Sequence, residues 1–384
     1  MTIVLLCDLQ CDWTLKGAGR HGVLPGRLGP VPSSSPRATT PMFNSSGECM
    51  RAEQLTYLDG WRGLAILLLL VGHFLPVPGM NMGAVGVRLF FALSGFLMVR
   101  LLITQRVPAG QFLRRRIARI FPAAYVFLVT VVLVCAMLGM PVSWAELLAA
   151  ATFTFNYFPG ELGRAVLPVG HFWSLCVEEH SYLLLAALAV AVGRSGRRML
   201  LAVALCLGAS IAAGIWYVRH YDGRALTGML LHTEVAAFTL CASAFLYLAI
   251  GARRIAVPAP AWCAIFGAAL LTQWWSVPVL VQTYAGGLLF ALAVNLLPST
   301  APIVQRVLSW QPLRMLGLWS YSLYLWQQPA YLFGGDAWHQ RIAGLLLSLC
   351  LGMLSFHLVE RPARRWLNQR WGRDEMPLQE RKAA

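Results

Sequence analysis

Ten apolar stretches recur along the chain, at approximately 58–76, 84–103, 120–140, 173–192, 199–218, 232–250, 259–276, 279–297, 316–334 and 341–359. Basic or turn-forming residues break each from the next. A segment that crosses a bilayer as a helix needs about 20 mostly apolar residues. In hydrocarbon its backbone polar groups must be satisfied within the helix itself. Hydrophobic residues make up 58% of the chain and charged residues 12%, against about a quarter charged in a soluble domain. The 31 basic and 16 acidic side chains are too few to coat a soluble globule of 384 residues. The expected fold class is all-α, a polytopic membrane helix bundle of about ten transmembrane helices. The segment 143–158 is apolar but short, so it is expected as a re-entrant or interfacial helix.

The net charge of +15 would suggest nucleic acid in a soluble protein. Here its distribution follows the spans. With both termini in the cytoplasm, 25 of the 31 lysines and arginines fall on the cytoplasmic side, as the positive-inside rule requires. They lie in the tail through Arg62, the loop 104–119, the turns 193–198 and 251–258, the loop 298–315 and the segment from Arg361. The charge is therefore mostly topology, no nucleic-acid partner is needed, and the expected location is the cell inner (plasma) membrane, multi-pass. Residues 1–52 are rich in proline, glycine and serine, a composition that cannot bury a core, and are expected as a disordered tail or a start-site artefact. Residues 367–384 are expected as a cytoplasmic C-terminal tail. The nine cysteines show neither CxxC nor paired spacing, so neither a disulfide framework nor a metal site is expected.

Ionisable groups at membrane depth are costly and mark function. Arg62 and His73 are eleven residues apart in the first span, roughly 16 Å along a helix and about 20° around it, on one face. The second span carries Arg88 near its outer end, with Ser94 and Gly95 further along. Arg88 would snorkel or hold an acid. Ser174, Glu178 and Tyr182 recur at every fourth residue, with Glu179 beside them. The loop 111–122 carries Arg114, Arg115, Arg116 and Arg119, suited to anchoring on anionic lipid or to gripping phosphate. Nucleotide-binding, zinc-hydrolase and serine-hydrolase motifs are not found.

These blocks, in order, resemble the acyltransferase-3 family of integral membrane acyltransferases. The matching pieces are Asp59-Gly60-Trp61-Arg62-Gly63 with His73; Phe90 to Leu97; Arg114 to Pro122; Phe172 to Glu179; Ser320 to Trp326; and Val359-Glu360-Arg361-Pro362. The resemblance implies a membrane acyltransferase domain over 53–366. It implies acyl-coenzyme A, most often acetyl-coenzyme A, as co-substrate rather than a resident cofactor, and a carbohydrate or lipid-linked glycan as acceptor. Two departures stand out. His180 replaces a residue that is often Gln, and Gln327-Gln328-Pro329 stand where a His often follows the Leu-Tyr-Leu block. The chain ends soon after the tenth span, so a second transfer step by an SGNH-type esterase domain is expected of a separate protein.

O-acyl transfer needs a base for the acceptor hydroxyl, and neutral imidazole suits that task near pH 7. His73 is the expected catalytic group, as general base or as transient acyl-imidazole, with Glu178 orienting and charge-tuning it as in a triad. Arg62, Arg115, Arg116 and Arg119 are expected to bind the coenzyme phosphates from the cytoplasm. Asp59, Arg88, Ser94, Ser174, Glu179 and Tyr182 are expected to support substrate or site. The rival reading is a transporter or flippase for a lipid-linked sugar, using the same His, Glu and Arg as a relay. An unrelated Asn/His-type membrane O-acyltransferase fits less well, because its His lies late in the chain.

Overall fold

A computed structural model describes residues 45–158, 166–193, 195–251, 255–333, 335 and 337–374. Among these all the regular structure is helical, the only extended pairings being two isolated bridges, Met80 with Trp274 and Val257 with Thr300. The principal helices are α1 (Ser45–Phe74), α2 (Met82–Val99), α3 (Ala109–Met137), α4 (Trp144–Ala151), α5 (Phe172–Ala191), α6 (Gly196–His220), α7 (Gly223–Met229), α8 (Phe238–Ile250), α9 (Ala259–Leu271), α10 (Gly287–Leu296), α11 (Pro302–Leu308), α12 (Gln311–Phe333), α13 (Trp338–Ser355) and α14 (Arg361–Asp374). The segment expected as a short interfacial helix forms α4 and one following turn of tight helix. Of the expected N-terminal tail, residues 1–44 lie outside the described residues, and 45–52 form the first turns of α1.

Among the described residues seven helices are long and apolar enough to cross a membrane: Met82–Thr104, Ala109–Met137, Phe172–Ala191, Gly196–His220, Thr233–Ile250, Val281–Ser299 and Trp338–Trp371. The other three expected stretches also fall on helices, α1, α9 and α12, but miss that measure. Helix α9 has only 13 residues. Helices α1 and α12 carry polar groups, Asp59, Arg62 and His73 on one, Arg314, Gln327 and Gln328 on the other. These two form the most extensive helix–helix contact in the molecule, so they can hold polar side chains away from lipid. The outer helices do the opposite: Leu133, Leu205 and Leu346 are 57%, 76% and 57% exposed. In water such faces would drive aggregation; against acyl chains they are matched.

Small residues set the central contact. A Cβ at Gly63 would lie 1.8 Å from the carbonyl oxygen of Leu313, and one at Gly317 would lie 1.9 Å from that of Asp59. The backbones of α1 and α12 thus approach as closely as small-residue membrane interfaces allow. Trp61, fully buried, locks α1 to α2 by donating its indole N–H to the carbonyl of Leu89 at 3.0 Å. Between α13 and α14 the chain passes through one wider π turn, Phe356–Glu360, which brings the buried Glu360 against α3.

Candidate active site

The C-terminal end of α1, the start of α2 and the C-terminal half of α12 wall a cavity of about 440 Å³. His73 stands on this wall. Its Nδ1 lies 2.5 Å from Oε1 of Gln327, and its ring stacks on Tyr331 at 5.1 Å between centroids. An amide oxygen can only accept, so with Oε1 as the partner Nδ1 carries the proton, and in the neutral ring Nε2 keeps its lone pair. Nε2 faces Gly83 across the helix pair: a Cβ there would sit 3.2 Å from it. The missing side chain leaves room beside the nitrogen that can take a proton.

The expected pairing of His73 with Glu178 does not form. Glu178 instead accepts from the hydroxyl of Ser94 at 2.7 Å, and Ser94 also meets the Tyr182 hydroxyl at 3.3 Å. The reason is the register of α5. Glu178 and Tyr182 share the face that packs on Ser94 of α2, whereas the partner of His73 comes from α12. The neutral Gln327 therefore fixes the tautomer without adding charge. Ser174, on the same α5 face, lies 2.5 Å from the Tyr324 hydroxyl, which also donates to the carbonyl of His171 at 2.8 Å.

Arg88 enters the cavity from α2, and its partner is the side-chain oxygen of Gln273, not an acid. His171, which precedes α5, lines the cavity too. Its ring packs against Phe127, Phe172 and Tyr324 at 5.5, 5.2 and 5.3 Å, and neither ring nitrogen has a hydrogen-bond partner. Sequence reasoning missed His171 and Gln327. The first was hidden in the block that carries Glu178, the second in a departure from the family pattern. His180, the other departure, bonds Thr233 at 2.7 Å and so steadies the turn that carries the cavity residue Ala236.

A smaller cavity of about 30 Å³ continues from the first, sharing Val87, Phe91 and Tyr324 and reaching Glu178, Ser320 and Tyr321. Outside the lining of both cavities, within electrostatic reach of Tyr321, lies a buried cationic group. Arg62, Arg116 and Arg119 are 0%, 1% and 2% exposed and close enough to interact electrostatically. Arg62 reaches Asp59 at 3.5 Å. Arg119 reaches Glu360 at 3.8 Å, whose other oxygen accepts from Ser322 at 2.7 Å. The Arg116 guanidinium lies 4.0 Å over the ring of Tyr182, a cation–π contact, with the half-buried Glu179 within electrostatic reach. Arg115 is half-buried and lies about 100° around α3 from Arg116. Nε and one terminal nitrogen of Arg62, and all three nitrogens of Arg119, have no hydrogen-bond partner. Buried donors left unmet are costly, and a cluster of them fits phosphate oxygens.

One apolar helix bundle thus holds a polar cavity with an imidazole pinned at one nitrogen and, apart from the cavity lining, a buried group of arginines. The chain belongs to the acyltransferase-3 family: residues 55–359 match the family's acyltransferase domain. It is 28% identical over 346 residues to O-acetyltransferase OatA of Staphylococcus aureus, covering 80% of this chain and 57% of that protein. To peptidoglycan O-acetyltransferase OatA of Listeria monocytogenes it is 26% identical over 352 residues, covering 80% and 55%. The chain thus spans little more than half the length of these curated relatives. No solved structure matches it.

Proposed function

We propose that this protein transfers an acyl group, acetyl above all, from acyl-coenzyme A on the cytoplasmic side to a hydroxyl of a cell-surface glycan, in the inner membrane. Relatives named as O-acetyltransferases, one of them for peptidoglycan, support a glycan acceptor. The observation that carries the reading is His73: Nδ1 held by Gln327, Nε2 facing the space left by Gly83.

In the proposed reaction Nε2 takes the acceptor hydroxyl proton as the oxygen attacks the thioester carbonyl carbon. The new C–O bond forms, the C–S bond breaks, and the thiolate leaves, taking the proton from the imidazolium. Arg62, Arg116 and Arg119 would hold the coenzyme phosphates, with the pantetheine arm reaching from them toward His73. We further infer ten spans with both termini cytoplasmic, α1, α9 and α12 completing the seven more apolar helices. That topology puts the arginines at the cytoplasmic end and His73 toward the outside. Reporter fusions after residues 80 and 225 should read outside, and after 110 and 255 inside; reversal of any would break the polarity.

The decisive test is transfer of labelled acetyl from acetyl-coenzyme A to glycan in membranes containing the full chain. Coenzyme-dependent labelling lost in His73→Gln, at matched protein level, is the expected result. A transporter would ignore the coenzyme, and labelling that persists in His73→Gln would remove the imidazole from the reaction.

A further inference from the structure

Arg88 presents a charge that the proposed transfer steps do not use. It sits on α2, half-buried, in the lining of the large cavity. Its partner is the neutral amide of Gln273. Among the described residues no carboxylate pairs with it, and Glu178, Glu146 and Glu234 are engaged elsewhere. Glu178 is held by Ser94, Glu146 by the backbone N–H groups of Val166 and Leu167, and Glu234 by Tyr157 and Tyr217. A guanidinium at membrane depth facing only a neutral dipole lacks the counter-charge such groups otherwise find.

Its position within the cavity follows from the helix. A long side chain on an α-helix leans toward the N-terminus, so Arg88 runs back along α2 toward Asn81. Gln273, which receives it, is fixed there: its carbonyl accepts from the Asn81 N–H at 3.4 Å. Its amide nitrogen donates to Thr272 at 2.6 Å and to the carbonyl of Gln282 at 3.2 Å. The guanidinium is therefore held near the level of Gly83, which adjoins Nε2 of His73. One donor of five meets Gln273, and the remaining donors can serve a ligand in the cavity. The same lining offers Asn81, Thr227 and Gln328, neutral groups suited to sugar hydroxyls.

We propose that Arg88 recognises a permanent anionic group on the acceptor, a phosphate or a carboxylate carried by the glycan beside the hydroxyl that is acylated. The inference rests on the acyltransferase reading and narrows its substrate class: the acceptor is an acidic or phosphate-linked glycan rather than a neutral one. The buried arginines at the other end serve the donor, and Arg88 serves the acceptor.

The test uses the full chain in lipid nanodiscs with two matched acceptor pairs. One pair is a uronic-acid oligosaccharide and its carboxyl-reduced counterpart. The other is an oligosaccharide on undecaprenyl diphosphate and the same oligosaccharide free. Transfer from acetyl-coenzyme A is measured together with direct binding, read as the rise in thermal unfolding temperature. The wild type should favour the anionic member of one pair, and that pair identifies the source of the charge. Arg88→Gln should reduce the ratio of kcat/KM, anionic over neutral, by about tenfold or more, the scale of a charge-assisted hydrogen bond, with Arg88→Lys keeping part of it. The KM for acetyl-coenzyme A should stay within about threefold, because the donor arginines are untouched. No anionic preference in the wild type, or an equal loss on both members as an oxyanion-stabilising role would give, overturns the proposal. If the wild type acylates nothing but still binds the anionic members more tightly in an Arg88-dependent way, the acyltransferase reading falls and the anion site stands.

Discussion

The two ends of the bundle's polar interior hold their groups in opposite ways. At the His73 end the titratable group is held by neutral partners: Gln327 takes Nδ1, Tyr331 takes the ring face, and Gly83 leaves space at Nε2. At the arginine end charges are buried against charges, Arg62 with Asp59 and Arg119 with Glu360, and nitrogens remain unmet on both arginines. A base must be free to gain and lose a proton, and a fixed carboxylate beside it would hold the proton more tightly. A phosphate grip has no such constraint and profits from charge in surplus. The difference is one of charge: the same apolar bundle holds an imidazole among neutral partners and arginines among acids, with some 16 Å of helix between His73 and Arg62.

The comparison breaks most sharply at His73. Transfer by His73→Gln should fall by about 10²-fold or more, since an amide can neither take the proton nor carry the acyl group. Acyl-coenzyme A binding should be retained, because the arginine end is unchanged. Acetyl transfer and coenzyme binding measured on the same membranes check both halves; near-normal transfer would leave Glu178 or His171 as the next candidate base.

At the other end, Arg116→Ala with Arg119→Ala should raise the apparent KM for acetyl-coenzyme A by about tenfold or more and that for acceptor much less, as expected for charge-assisted phosphate contacts. Initial rates over a matrix of both substrates separate the two constants. If only the amount of inserted protein drops, the arginines serve anchoring or packing.

Gln327 tests whether a neutral acceptor is what His73 requires. Gln327→Met keeps the bulk and removes the acceptor, so Nδ1–H is left buried and the ring is free to change tautomer. Transfer should fall by about tenfold, in line with the loss of a second partner that orients a ligand or base. Gln327→Asn keeps the acceptor on a shorter stem and should recover part of the loss. Equal rates for the Met and Asn variants would mean that packing, not hydrogen bonding, sets the imidazole.

Much of this was legible in the sequence, and the part that was not has a common cause. The apolar stretches each fall on a helix, because hydropathy over about 20 residues reports directly on membrane-scale segments. His73 and Arg62 on one face of α1 follow from helical geometry alone, and so do Ser174, Glu178 and Tyr182 on α5. What failed was partner choice. Gln327 is 254 residues from His73 and Gln273 is 185 from Arg88, and nothing in the sequence of either amide names its partner. Glu178 looked like the partner of His73 because a carboxylate is the conspicuous residue, yet register sends it to Ser94. The lower hydropathy of α1 and α12 has the same origin: these are the helices that carry the polar groups inward, so apolarity is weakest where the site is built.

The finest probe of the comparison is Gly83. Its absent side chain is what leaves room at Nε2: a Cβ would stand 3.2 Å from that nitrogen and 3.6 Å from Oδ1 of Asn81. Contacts at that distance are tight but not prohibitive, and His73 can yield by a few tenths of an ångström. Gly83→Ala should therefore fold, a helical alanine even gaining about 0.5–1 kcal/mol of backbone entropy over glycine, and should slow transfer by only about threefold to tenfold, because a modest misplacement of a reacting group already costs rate. Bulky acceptors should suffer more than small ones, since the added methyl narrows the space beside the nitrogen they must reach. Gly110→Ala supplies the control: it sits near the start of α3, and a Cβ there meets nothing within 4 Å, so it should leave transfer unchanged. Parallel rates for the two alanine variants, with a small and a large acceptor, decide the point. If Gly83→Ala matches Gly110→Ala, Nε2 is not the nitrogen that faces the acceptor, and the proton must be taken by Nδ1 in the other tautomer, with Gln327 displaced.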